Sequence, residues 1–309
     1  MDIPLNSRHG LILTRDLERL ALDDRQLRRR VADGSIVRVA HGSYMPAAAW
    51  QALTFEQQHL ARAHAFNEAS VTRHVFSHFS AAVVLGIPIV GPLPRQVHVT
   101  VERFSRTRFR HHVVGHYADV EPTDIEEHDG LLVTAAARTV ADLALSTTFP
   151  TAVAAVDWYL SCGHDRGILL GILDGMPPRT GRRRAIAAVE FGDGRSGSPG
   201  ESLSRANIHL LRLPAPDLQV PFTDAAGLIG IADFWWEASA VIGEFDGAVK
   251  YSRDEYTHGR EAAEIVLREK RRADRMRGVN QDLVRWGWDV ASDLRLLGDL
   301  LGRHGLRSA

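Results

Sequence analysis

Cysteine is all but missing from this 309-residue chain: the single Cys162 excludes an internal disulfide framework and a cysteine-rich zinc site, and reads as plain packing. Lysine is nearly as scarce. Of 37 basic residues only Lys250 and Lys270 are lysines, so arginine is the default cation here. Either the two lysines mark positions where a permanently charged, delocalised fork does not serve, or they fall there by chance. No segment reaches the roughly 20 apolar residues of a membrane span. The opening MDIPLNSRHGL lacks the basic stretch, apolar run and small-residue cleavage site of an export signal. The expected setting is the cytoplasm, with no membrane contact. Neither sign of charge dominates, and a net charge of −1 excludes a uniformly basic nucleic-acid coat. Polyanion binding would have to come from local clusters, at Arg28-Arg29-Arg30, Arg103 to Arg110 and Arg182-Arg183-Arg184, each of which is otherwise a solvated face. The 15 histidines are mostly scattered without a paired ligand spacing.

What is present is a globular composition, 45% hydrophobic and 24% charged, enough to bury cores in two or three domains. The chain reads as an α/β multidomain protein divided at 1–50, 51–195 and 196–309. The first 50 residues carry two helical patterns, Thr14 to Leu20 and Asp24 to Asp33, opened by Thr14 and by Asp23-Asp24 as N-caps, with Gly34 closing the second. SIVRVAHGSYMP then alternates apolar and polar positions around Gly42, as a two-stranded hairpin does. Helix, turn, helix, wing is a winged helix-turn-helix. Its second helix enters the major groove, which makes Arg25, Gln26, Arg28 and Arg29 candidate base readers or phosphate anchors. Arg38 and His41 on the wing are placed to grip the backbone. Mild basicity leaves protein docking open as the alternative.

From Thr54 to Arg195 helical runs alternate with short strands, and the period-two spacing of RQVHVTV and RHHVVGHYA suggests a hairpin pair. RTVADLA at 138–144 sets Arg138 and Asp142 four apart on one helix face, where an internal ion pair is the bland reading. The winged segment ending VRVAHGSYMP, then SHFSAAVVLGIP, then RTVADLA resemble the AbiEi-like antitoxin family of type IV abortive-infection toxin–antitoxin systems, over roughly residues 5 to 190. That resemblance implies a DNA-binding repressor of its own operon and a cognate toxin as partner; it does not imply catalysis.

Residues 192–200, GDGRSGSPG, concentrate Gly, Ser, Pro and Asp without periodicity and read as a linker. After them ESLSRANIHLLRL has the spacing of an amphipathic helix opened by Glu201, stopped by Pro214 and Pro216. LQVPF, LIGIADFWW and SAVIGEFDG follow, rich in β-branched and aromatic residues and separated by turn signals, so a sheet meander is expected. Alternate strand residues share a face, so Glu244 and Asp246 project together while Phe245 faces the other way. If Asp233 lies at matching depth on the neighbouring strand, three carboxylates converge, and a Mg²⁺ or Mn²⁺ ion held by Asp233, Glu244 and Asp246 would relieve their repulsion. The structural alternative is a turn-capping Asp233 beside a solvated strand edge paired with arginines. The apolar context favours the metal site, since unpaired buried charge costs several kcal/mol.

ESLSRAN, IADFWW, GEFDGAVKY, REKRRADRMR and LVRWGWDV resemble the PD-(D/E)xK restriction-endonuclease superfamily, nearest its very-short-patch-repair-like branch, over roughly 198 to 295. The resemblance implies a restriction-endonuclease-like domain with a central mixed sheet. In it Glu201 corresponds to the helix glutamate, Asp233 to the metal aspartate and Glu244 to the acidic residue of the triplet. Where the family has lysine this chain has Asp246, so Lys250 or Lys270 is left to serve the site, or the site binds metal without efficient cleavage. Arg271, with Arg268, Arg272, Arg275 and Arg277, gives the following helix a basic surface, either for a phosphate backbone or as salt-bridged exterior. Arg285 is a candidate phosphate clamp, and Trp235, Trp236, Trp286 and Trp288 read as core.

Two functions follow. One is a DNA-binding protein whose metal-dependent endonuclease-like domain hydrolyses phosphodiester bonds. The other is a transcriptional repressor or antitoxin with a catalytically silent nuclease-like domain.

Overall fold

Asp23 opens the helix α1, Asp24–Ala32, through a capping box: its side chain accepts from the Gln26 backbone N–H at 2.6 Å, and the Gln26 side chain accepts from the Asp23 N–H at 3.2 Å. The computed structural model describes residues 8–16, 23–102, 112–177, 180–247, 275, 278 and 282–308. The expected helix from Thr14 to Leu20 begins as a 3₁₀ turn at Thr14–Asp16, and its remainder lies outside the described residues. Strands β1 (Ile12–Leu13), β2 (Ile36–Ala40) and β3 (Ser43–Pro46) form an antiparallel sheet in the order β1-β3-β2. Gly42, at φ +71°, turns β2 into β3 as the wing pattern requires. Leu27, Ile12 and Ile36 make the small core beneath α1.

Two helices, α2 (Ala47–Ala52) and α3 (Phe55–Ala69), lead into a five-stranded sheet. Its strands are β4 (Val75–Phe76), β5 (Val97–Val101), β6 (Val113–Tyr117), β7 (Ile125–His128) and β8 (Leu131–Thr134), in the order β6-β5-β4-β8-β7. The expected hairpin between RQVHVTV and RHHVVGHYA is a correction: both segments are strands, but β5 and β6 run parallel, Val97 against Val113 through Val101 against Tyr117. Period-two spacing fixes which face a residue takes and carries no strand direction. Helix α4 (His78–Leu85) packs against this sheet, and α5 (Ala136–Ser146) follows it.

The chain divides into two compact units, Met1–Leu143 and Ala144–Ala309. The expected divisions at 50 and 195 both fall inside these units. In the first, Leu11, Leu13 and Met45 share a core with Ala61 and Ala65 of α3. In the second, α6 (Phe149–Ser161), α7 (Arg166–Gly175) and α8 (Arg182–Phe191) precede α9 (Pro199–Leu210), and α6 packs against both α8 and α9. Small side chains make that approach close, with Ala152, Val153, Ala154, Ala155 and Val156 of α6 all buried.

The segment 192–200 is not a tether. A side chain at Gly192 would collide with Val156, and one at Gly194 would meet the Leu160 backbone at 2.9 Å. The Asp193 N–H donates to Asp157 at 2.7 Å, Ser198 caps α9 and Pro199 starts it. Its glycines and serines answer close packing and capping, which in composition look the same as flexibility.

A four-stranded sheet completes the second unit: β9 (Asp217–Asp224), β10 (Gly227–Trp236), β11 (Val241–Phe245) and β12 (Asp282–Trp286), in the order β12-β11-β10-β9. The first three form the expected antiparallel meander, and β12 adds parallel to β11. Two further helices, α10 (Trp288–Ala291) and α11 (Leu294–Arg303), close the chain. Trp236 and Trp286 are buried, each stacked on Phe234, and Trp286 donates to Ser204 of α9 at 2.9 Å. Among the described residues no helix is long and apolar enough to cross a membrane.

Candidate active site and nucleic-acid interface

One polar row crosses the β9–β12 sheet. The pairs Ala232 to Val220 and Phe234 to Leu218 set Asp233 level with Gln219. The pair Phe234 to Gly243 sets Glu244 one step on, opposite Asp233, and Glu244 pairs directly with Arg285. Opposed residues on paired strands share a face, so Gln219, Asp233, Glu244 and Arg285 line up from edge to edge. Glu201 reaches the row from α9. Its Oε2 accepts from Gln219 Nε2 at 2.9 Å and from the Gly197 N–H at 2.8 Å, and its Oε1 accepts from Ser198 Oγ at 2.8 Å.

The charges in this row are unbalanced. Glu201 and Glu244 are buried, at 8% and 7% exposure, and Asp233 is half-buried. Burial, then repulsion from Glu201, push the Asp233 carboxyl up to about 6; Glu244 pushes the same way, while hydrogen bonds from the Phe245 N–H and Gln219 oppose. Those bonds measure 2.8 Å to Oδ2 and 3.4 Å to Oδ1. Arg285 Nε donates to Glu244 Oε2 at 2.7 Å. The side-chain oxygens of this row are the kind hard divalent cations take, and such an ion would offset both the burial and the repulsion that raise Asp233. Three ligand atoms of this group do not lie within 4.8 Å of one another; among the described residues only His9, His64 and Asp129 meet that spacing.

The sequence expected Asp246 to share the face of Glu244. In the structure β11 ends at Phe245, and Asp246 is exposed beyond it, its N–H donating to Trp286 O at 2.8 Å. Strand parity is not set by pairing beyond the last strand residue, and Glu201 is the third carboxylate that reaches the row, through Gln219. Lys250, Lys270 and Arg271 lie outside the described residues. Arg275 bonds Asp224 at the β9–β10 turn, at 2.8 and 2.6 Å. Gln219 went unnoticed in the sequence. It adopts φ +54°, a left-handed conformation within a strand that costs a non-glycine residue of order 1 kcal/mol, and its amide joins Glu201 to Asp233. No sequence signal marks such a glutamine.

On the winged segment, α1 buries Leu27 and exposes Arg25, Gln26, Arg28 and Arg29. Gln26 spends its side-chain oxygen on the capping box, leaving its amide N–H groups to face outward. Arg38 and His41 are exposed on the wing, Arg38 Nε donating to Ala40 O at 3.4 Å. The SHFSAAVVLGIP motif is a buried packing hub. His59 donates through Nδ1 to Pro94 O at 3.0 Å, which leaves Nε2 to accept from Ser80 Oγ at 2.8 Å; Ser80 Oγ in turn accepts the His98 N–H at 2.8 Å. Burial pushes His59 down to about 4 and His98 to about 3, so both stay neutral. In RTVADLA, buried Arg138 pairs with Asp142 at 3.3 Å and with Asp124 at 3.4 Å.

A mixed α/β protein with an N-terminal helix-and-wing unit is the class these features define. Residues 3–47 match the family model described as a transcriptional regulator, AbiEi antitoxin. Among solved structures, the RV2827C protein from Mycobacterium tuberculosis is similar at a TM-score of 0.42 and 15% identity, covering 65% of this chain and 76% of that one. No curated protein matches the chain.

Proposed function

We propose that this protein is a DNA-binding transcriptional regulator of the antitoxin type. The carrying observation is that the residues matching the antitoxin regulator model contain a capped helix that buries Leu27 and turns Arg25, Arg28 and Arg29 outward beside the Arg38 wing. A helix so placed delivers its N-terminal side chains to a major groove, with the wing on the phosphates. DNA carrying its own promoter is the expected ligand, and a toxin protein the expected partner. Gel-shift titration of that promoter with wild type and the Arg28→Ala, Arg29→Ala double variant tests the reading. Binding that survives the double variant unchanged defeats it.

The polar row favours a second role for the other unit: phosphodiester hydrolysis at a site of restriction-endonuclease type. Its support is the raised Asp233 carboxyl between Glu201 and Glu244. Asp233 and Glu244 would hold Mg²⁺ or Mn²⁺, which polarises a phosphodiester and supplies hydroxide near neutral pH. Gln219, bonded to Glu201, would orient Asp233, and Arg285, bonded to Glu244, would be available to a phosphate. Calorimetric Mn²⁺ titration of wild type and Asp233→Ala, with nuclease assays on duplex and single-stranded DNA, separates this role from a silent domain. Heat without cleavage leaves a binding site only; no site-dependent heat removes the metal.

A further inference from the structure

His9 lies in the 3₁₀ turn Arg8–Gly10, His64 on α3 and Asp129 at the β7–β8 turn, far apart in sequence and together in the first unit. One ligand atom from each lies within 4.8 Å of the other two. His9 Nδ1 is 3.4 Å from Asp129 Oδ2, and His64 Nε2 is 3.7 Å from the same oxygen. The two imidazoles stack with centroids 3.4 Å apart and planes 12° from parallel. His64 is 4% exposed, and its Nε2 is buried with no hydrogen-bond partner, 3.7 Å being too long for one. A buried polar nitrogen without a partner is costly enough to require a reason.

Charge and chemistry agree on what is missing. Burial pushes His64 down to about 4, His9 adding to the effect while Asp129 and Glu68 oppose it. A neutral imidazole is the form that offers a lone pair to a metal. Asp129, in the left-handed region at φ +48° before Gly130, keeps a 63% exposed carboxylate at the tip of the β7–β8 turn, with access from solvent. Two imidazoles and one carboxylate suit the borderline first-row ions, above all Zn²⁺, and leave a coordination position for water. Because the rings lie face to face, bringing both lone pairs onto one ion requires His9 to turn about its side-chain bonds.

We propose that His9, His64 and Asp129 form a transition-metal site of the zinc class that fastens the segment ahead of β1 to α3 and to the β7–β8 turn. It is separate from the acidic row and does not depend on either role proposed above. The test uses the full chain, stripped with a chelator and dialysed into excess Mg²⁺, then titrated with ZnCl₂ by calorimetry. Co²⁺ serves as a visible-absorption probe of nitrogen and oxygen coordination. Wild type should bind one ion per chain and melt at a higher temperature with zinc. His9→Ala and Asp129→Asn should each weaken binding by roughly 10–100-fold, the range seen even for groups one step removed from a metal. Both residues lie at the surface side of the cluster, so these variants keep the test decisive if His64→Ala fails to fold. The proposal is overturned if wild type binds no zinc or if His9→Ala and Asp129→Asn bind it as wild type does.

Discussion

Asp233 Oδ2 accepts the backbone N–H of Phe245 at 2.8 Å, so the carboxylate of β10 is anchored to β11 at the residue beside Glu244. The bond by itself lowers the carboxyl, but burial first, and then the charges of Glu201 and Glu244, outweigh it and push Asp233 up to about 6.

Asp233 should therefore set a pH dependence of stability. A folded value of about 6 against an ordinary 3.8 means the folded state holds the proton more tightly than the unfolded chain. That contribution is complete below pH 3.8 and is lost as pH rises through about 6. In metal-free buffer at pH 7, Asp233→Asn should raise the melting temperature by roughly 2–4 °C. The gain should vanish below about pH 4, where the wild-type carboxyl is protonated in both states. A variant no more stable than wild type at pH 7 would refute the electrostatic reading.

Arg205 and Asp157 form a buried pair, at 2.7 and 2.9 Å, with Arg205 also bonded to Phe191 O at 2.9 Å and stacked over the Phe191 ring. Burial raises the Asp157 carboxyl and Arg205 pulls it back, so each charge depends on the other. Asp157→Ala or Arg205→Ala alone should cost about 3–5 kcal/mol in urea denaturation, because one buried charge is stranded. Asp157→Leu combined with Arg205→Met should recover most of that loss.

Gly200 inverts the usual helix rule. Replacing a helix glycine with alanine ordinarily gains up to about 1 kcal/mol, but at Gly200, the second residue of α9, a Cβ would lie 2.0 Å from the Phe245 ring. Gly200→Ala should instead destabilise by about 1–3 kcal/mol and weaken Mn²⁺ binding by displacing β11 beside Glu244. A stabilised Gly200→Ala protein would mean that α9 and β11 do not approach this closely.

The winged segment separates positioning from contact. Asp23→Ala removes the cap of α1 and should cost about 1 kcal/mol of stability while leaving the salt dependence of DNA affinity intact. Arg28→Ala should lower the slope of log affinity against log salt by about 1, as loss of one phosphate contact does. Affinity measured across a series of salt concentrations tells them apart, and an unchanged slope for Arg28→Ala would remove that contact.

The sequence was most legible where local chemistry and tertiary structure agree. Asp23, Gly34 and Gly42 mark a capped helix and a wing, and the three apolar segments after Pro216 are the meander that carries Asp233 and Glu244. Arg138 and Asp142 also meet as their spacing suggested. Asp246 falls just past the end of β11, and where a strand ends depends on tertiary pairing that no local pattern reports. The parallel pairing of β5 with β6 and the left-handed Gln219 depend on neighbours distant in sequence, so their residues look ordinary one by one.

The glycines and serines of 192–200 have a consequence for how this protein can be cut. A fragment beginning at residue 196 would part Arg205 from Asp157 and from the Phe191 carbonyl, and would expose the side of α9 that α6 covers. The acidic row would then hang from a helix stripped of its support. Proteases that favour loosely held loops should spare this stretch despite its composition, and the sheet that carries the acidic row should unfold together with the helices from Phe149 to Phe191.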